Sequence, residues 1–230
     1  QTVFKRDNKG KIIRGDWTLP EFEYLSMNQW QLTEKVNGTN IRVEWDGRIT
    51  FGGKTDRAQI PEQLLKRLEE RFYPRLPQME QIFPTPATLY FEGYGPKIQS
   101  GGKYRDDQDI VLFDIKVGDW WLRRQDLEDV AGQLDLDVVP IVHINDNPLM
   151  DAIALTTQGF KSKWGDFEAE GIVARPLLNL RTRGGDRIIT KIKSRDFRTG
   201  KSIFRKEAPE TSGEVLRLAE EGRLADDIGG

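Results

Sequence analysis

Strict alternation of apolar and polar positions marks the first half of the chain. Gln31–Glu34, Ile41–Trp45 and Arg48–Phe51 each alternate with the two-residue period of a half-buried strand. Asp46-Gly47 lies between the last two, and both residues tolerate positive φ, which predicts a tight hairpin. The period changes over Glu62–Phe72. Leu64, Leu65, Leu68 and Phe72 there predict a helix entered after Pro61 and left before Pro74. Further strands are predicted at Thr88–Phe91, Ile110–Lys116 and Val138–Ile144, and helices at Arg124–Leu134 and Asn147–Thr157, the latter with Pro148 near its start. Gly171–Ala174 and Arg187–Lys193 read as the last strands, joined through a Gly184-Gly185-Asp186 turn. Ser212–Glu221 reads as a short terminal helix capped by Ser212. Strands in hairpins with helices between the groups predict an α+β fold with antiparallel sheets.

Composition narrows the chemistry. The 230 residues hold no Cys and one His, which removes disulfides, thiol nucleophiles, Cys-ligated zinc and any His-rich metal centre. No run approaches about 18 apolar residues, and residues 1–20 lack a signal-like apolar region, so a cytoplasmic protein without a membrane span is expected. At about 100–200 residues per domain, the length suits one large domain with an appendage.

Charge is unevenly spread. The formal net charge is −2, yet Arg181–Lys206 carries ten basic residues and two acids, and Glu207–Gly230 carries seven acids and two Arg. The first segment is either a solvated face or a polyanion site, with the tail compensating it. Domain bounds are accordingly drawn at 1–206 and 207–230, the latter a short acidic tail.

Three clusters could carry chemistry. Lys35, in Glu34-Lys35-Val36-Asn37-Gly38-Thr39-Asn40, stands at a strand end beside a Gly that permits a sharp turn, so its amine can enter a cleft. Most such lysines are solvent-facing loop residues, so by itself the motif is weak. Lys191 and Lys193 fall on one strand face, about 7 Å apart, where they can share a phosphate or guard a sheet edge. Glu92-Gly93 and Glu170-Gly171 place carboxylates at strand ends, suited to a ribose hydroxyl, a hydrated metal or plain turn chemistry. His143, inside an apolar run, reads as a core or sheet histidine, and Trp120-Trp121 as hairpin packing.

Five of these segments in order resemble the motifs of the covalent nucleotidyltransferases, the superfamily of ligases and mRNA capping enzymes. Lys35-Val36-Asn37-Gly38 resembles the nucleophile motif, and Leu89-Tyr90-Phe91-Glu92-Gly93-Tyr94-Gly95 the third. Asp109-Ile110-Val111-Leu112-Phe113-Asp114-Ile115 resembles the strand motif that follows. Glu170-Gly171-Ile172-Val173-Ala174-Arg175-Pro176 and Ile189-Thr190-Lys191-Ile192-Lys193 resemble the fourth and fifth. Glu34-Lys35-x-x-Gly38-Thr39-Asn40 and Gly95-Pro96-Lys97-Ile98-Gln99 are most similar to ATP-dependent RNA ligases.

The resemblance implies a ligase adenylation fold with a central nucleotide cleft, and an enzyme that joins RNA 5′-phosphate and 3′-hydroxyl ends through lysyl-AMP. It implies ATP as AMP donor and Mg²⁺ or Mn²⁺ as metal. Lys35 would be the nucleophile, with Lys191 and Lys193 on the α-phosphate. Glu34 would accept from the adenine amino group, Glu92 would hold ribose, and Val173 would lie under the base. Ile110 falls where an aromatic usually covers the opposite face, and Phe113 is the nearest aromatic. Lys54 would contact phosphate, Arg175 stands at a basic position of the fourth motif, and Glu170 would hold the metal through water. Asn37 replaces the more usual Asp. A monomer is expected. The alternatives are a GTP-dependent capping enzyme, a DNA ligase catalytic fragment, or an inactive nucleic-acid-binding module. Only 37 residues follow Lys193, too few for the OB-fold of about 100 residues that capping enzymes and DNA ligases append.

Overall fold

A computed structural model describes residues 1–143 and 146–197. The expected terminal helix, the acidic tail and the basic residues after Phe197 lie outside these described residues. The architecture is α+β, with antiparallel sheets as the hairpin pattern predicts.

Five strands form the larger sheet: β4 (Thr39–Trp45), β5 (Ile49–Gly53), β6 (Ala87–Tyr94), β7 (Asp109–Val117) and β8 (Trp120–Trp121). Their order is β5-β4-β6-β7-β8. Three strands form the second sheet: β3 (Trp30–Glu34), β9 (Gly171–Pro176) and β10 (Thr190–Lys193), in the order β10-β9-β3. A separate hairpin joins β1 (Phe4–Arg6) and β2 (Ile12–Trp17).

Helices cover the outer face of each sheet. α2 (Glu62–Phe72) spans the stretch bounded by its two prolines. Leu64, Leu68 and Phe72 bury its apolar stripe against Ile41, Leu89 and Phe91, each side chain worth about 1.5–3 kcal/mol over exposure. α3 (Leu76–Ile82) and α4 (Arg124–Gln133) complete that layer. Short α1 (Pro20–Tyr24) and α6 (Ser194–Phe197) join α5 (Leu149–Gln158) around Trp30, Leu32, Ile172 and Ile192 of the smaller sheet. A third cluster of Val36, Tyr94, Tyr104, Val111 and Val139 lies between the sheets.

The expected strand at Val138–Ile144 is not one. Val139 and Val142 are buried, but three residues apart, which two-residue alternation does not give. Val138 bridges Leu112 of the larger sheet, while Ile141 bridges Thr33 of the smaller. Pro140 between them has no N–H to continue a ladder. Its carbonyl accepts instead from the Glu34 N–H at 3.0 Å, so the segment crosses from one sheet to the other beside the Lys35 motif. The strand expected over Arg187–Lys193 begins later, at Thr190, with Arg181 and Arg187 only bridged ahead of it.

Candidate active site

A cleft of about 160 Å³ opens between the two sheets. Thr33, Glu34, Lys35, Val173 and Arg175 line one wall, and Glu92, Phe113 and Asp114 the other.

Lys35 lies one residue beyond the β3–β9 ladder, where its N–H donates to the Gly171 carbonyl at 2.9 Å. A Cβ at Gly171 would strike the Ile192 carbonyl oxygen of β10, so glycine is what lets the strands close here. The Lys35 amine donates to Glu170 Oε2 at 2.7 Å, and Lys193 Nζ to Glu170 Oε1 at 2.8 Å. Lys191 and Lys193 share the face of β10 opposite the buried Ile192, as alternation predicts. Desolvation, and then Lys193, Lys35, Lys54 and Arg6, hold the Lys191 ammonium below its usual range. Lys54, exposed just after β5, is near enough to repel the Lys191 ammonium but does not line the cleft.

Gly38 turns the chain into β4. A Cβ there would collide with the Gly93 carbonyl oxygen and press on Glu92 Cγ. Gly38→Ala is expected to cost about 2 kcal/mol of stability, in the range of overpacked sites. A urea midpoint equal to wild type would show that β6 yields freely.

Burial pushes the Glu92 carboxyl up to about 7, against the attraction of Lys35 and Lys193 and with repulsion from Glu170. The folded protein therefore keeps a proton that the unfolded chain releases from about pH 4.5 upward. Stability should fall as pH rises from there to about 7 and then level off. Glu92→Gln removes this loss. Relative to wild type, the variant should be more stable at pH 8 than at pH 5 by an amount on the order of 3 kcal/mol. Urea unfolding at both pH values checks this, and an equal difference at both would contradict it.

Glu34 is 1% exposed. Its Oε1 accepts from Ser162 Oγ at 2.6 Å and its Oε2 from the Lys163 N–H at 2.8 Å. Burial nevertheless holds its carboxyl above the usual range. Each oxygen can still accept a second hydrogen bond, and the residue lines the cleft. Ser162 and Lys163 carried no sequence signal, being 128 and 129 residues away.

Ile110 is not in the cleft. It is 2% exposed and packs in the α2 core. β7 contains an irregularity: Tyr90 pairs with Asp114 but Phe91 with Leu112, leaving Phe113 as the extra residue of a bulge. Leu112 and Ile115 keep the core face, while Phe113 and Asp114 both line the cleft. Bulges re-aim side chains in this way. Phe113 is thus the aromatic across from Val173. Asp114 carried no assigned role in the sequence reading, yet its carboxylate meets Arg175 Nη1 at 3.3 Å and Arg187 Nη1 at 2.6 Å.

Two remaining residues differ from expectation or gain a role. His143 is exposed rather than buried, because the apolar run leaves the core after Val142. Tyr104, in the Gly101–Arg105 loop, is buried against Tyr94, Trp164 and Phe167, and its hydroxyl accepts from the Asn37 N–H at 3.1 Å.

Residues 28–193 match the family model of the RNA ligases, well over half of the chain. The chain belongs to the RNA ligase family. No curated protein sequence matches it. Its fold is similar to solved structures of Naegleria gruberi RNA ligase. A variant of that protein with AMP and Mn has a TM-score of 0.61 at 18% identity, over 77% of this chain and 53% of that one. Another, with ATP and Mn, has a TM-score of 0.62 at 17% identity, over 86% and 58%. A third structure, with PPi, has a TM-score of 0.61 at 19% identity, over 86% and 61%. This RNA ligase family member thus spans a little over half the length of those chains. None of its described helices is long and apolar enough to cross a membrane.

Proposed function

We propose that the chain is an ATP-dependent RNA ligase that works through a lysyl-AMP on Lys35. The observation that carries this reading is the convergence of the Lys35 and Lys193 amines on Glu170 at one end of the cleft between the sheets. The Lys35 nitrogen attacks the α-phosphorus of ATP, a nitrogen–phosphorus bond forms, and the bond to pyrophosphate breaks. The amine's proton leaves to water. An RNA 5′-phosphate oxygen then displaces the lysine, and a 3′-hydroxyl finally displaces AMP to form the phosphodiester.

Lys191 and Lys193 face the α-phosphate in this scheme, and Lys54 the outer phosphates, where preplaced positive charge meets charge that develops in the transition state. Glu92 holds the ribose. The base lies between Phe113 and Val173, with Glu34 accepting from its amino group and Arg175 at the rim.

The donor set fits a hydrated divalent cation. No group of three or more metal-ligating side chains occurs among the described residues, and Mg²⁺ typically takes one or two carboxylates while keeping its waters. Glu170 is the residue that would hold Mg²⁺ or Mn²⁺. The ion would supply charge neutralisation on the phosphates. Family membership and the neighbours solved with AMP or ATP and Mn support this assignment.

Incubation with Mg²⁺ and α-labelled ATP or GTP, followed by a denaturing gel, tests the reading. Label from ATP is expected on the protein. Preference for GTP would point to capping chemistry, and no label from either would leave a binding module. With nicked duplexes, RNA on the 3′-hydroxyl side should be sealed, and efficient closure of all-DNA nicks would overturn the RNA assignment.

A further inference from the structure

About four residues along β9 from the Lys35 end, roughly 13 Å at strand rise, the two walls of the cleft are tied together. Asp114 from the larger sheet accepts from Arg175 of β9 and from Arg187, just ahead of β10. All three side chains are largely buried, at 8%, 12% and 14% exposure. The Arg187 guanidinium also lies 4.0 Å over the ring of Trp121 on β8. Its Nη2 is buried with no hydrogen-bond partner among the described residues, so the ring face is what compensates that nitrogen. Trp121 rests in turn on Tyr90, at 5.3 Å between ring centroids, and Tyr90 neighbours Phe113 at 6.4 Å. Asn179 adds a third tie, its Nδ2 donating to the Trp121 carbonyl at 3.3 Å.

These ties bear on the slot because of where they sit. Phe113 immediately precedes Asp114, and Val173 stands two residues before Arg175 on the same strand face. A change in the Asp114–Arg175 separation therefore reaches the gap between Phe113 and Val173. A planar base needs about 3.5 Å on each side for good contact, so a few tenths of an ångström matter. Arg187 and Trp121 do not themselves line the cleft.

We infer that Trp121, Arg187 and Asp114 form a clasp that sets the width of the base slot, making Arg187 and Trp121 positioning residues for the nucleotide. The inference rests on the proposal that the ATP base occupies this slot.

The test uses the full chain and α,β-methylene-ATP, whose α–β linkage cannot be cleaved, with affinity read by calorimetry. Arg187→Met should raise Kd about tenfold and Trp121→Leu several-fold, the scale of one cation–π contact with its ion pair. Trp121→Phe, which keeps a ring face, should stay within about twofold. The double variant should bind no worse than Arg187→Met alone, since both belong to one tie. With ATP, KM for lysyl-AMP formation should rise while kcat at saturation holds. Circular dichroism confirms that each variant is folded at the assay temperature. An unchanged Kd in folded Arg187→Met, strict additivity in the double variant, or a fall in kcat at constant KM would overturn the clasp. If wild type binds the analogue but forms no lysyl-AMP from ATP, the ligase chemistry fails and the Kd series still decides the clasp. If wild type binds no analogue, both fail.

Discussion

Replacing Lys35 by alanine is expected to abolish labelling of the protein by α-labelled ATP, with at least about a 10³-fold loss of lysyl-AMP formation, the scale on which removal of a nucleophile acts. Lys193, the other amine on Glu170, lies on a different strand and cannot take the same line of attack. The fold should survive, because Glu170 keeps Lys193 at 2.8 Å when Lys35 is removed. Lys35→Arg sharpens the test. A guanidinium can preserve the ion pair with Glu170, but it stays protonated at any working pH and offers no nucleophilic nitrogen. Both variants should bind α,β-methylene-ATP and both should remain unlabelled. Label of wild-type intensity in either would place the covalent bond on another residue and end the assignment.

Lys35 stood out through the order of the five motifs, whereas the elements of the fold were legible where their contacts are local. The Asp46-Gly47 hairpin and α2 are written in neighbouring residues, and alternation along β10 is enough to put Lys191 and Lys193 on one face. Elements that depend on distant partners were less legible. Phe113 is obscured when Ile110 is set in the cleft: with Ile110 facing the core, alternation brings Phe113 to the cleft, and the bulge then adds Asp114 beside it and returns Ile115 to the core. Val138–Ile144 has the composition of a strand but divides its bridges between two sheets around Pro140. The partners of Glu34, and the pairing of Asp114 with Arg187, exist only once segments 73 to 129 residues apart have met. The short β1–β2 hairpin, α1 and α3 went unread because their burial is supplied by neighbours rather than by a sustained period of their own.

The largest stability loss is expected from Asp109→Ala, a residue outside the cleft. Asp109 is fully buried. Its carboxylate receives Arg71 through two bonds of 2.9 and 2.7 Å, Arg105 at 3.2 Å, and the Ile110 N–H at 2.9 Å. Next to it, Arg67 pairs with Asp107 and donates to the Gln108 carbonyl. These bonds fasten the loop between β6 and β7 onto α2. Removing the carboxylate leaves Arg71 and Arg105 partly buried without their shared anion, a defect that costs about 3–5 kcal/mol. For a chain of this size that corresponds to a drop of roughly 10 °C in Tm. The same loop carries Tyr104, whose hydroxyl holds the Asn37 N–H under the Lys35 turn. Asp109→Ala, assayed well below its melting point, should therefore also slow lysyl-AMP formation. Tyr104→Phe removes only that one bond and should lower stability by about 1 kcal/mol. Thermal melts of the two variants beside labelling rates separate the outcomes. A large fall in Tm with an unaltered rate would show that the loop supports the fold without positioning Lys35.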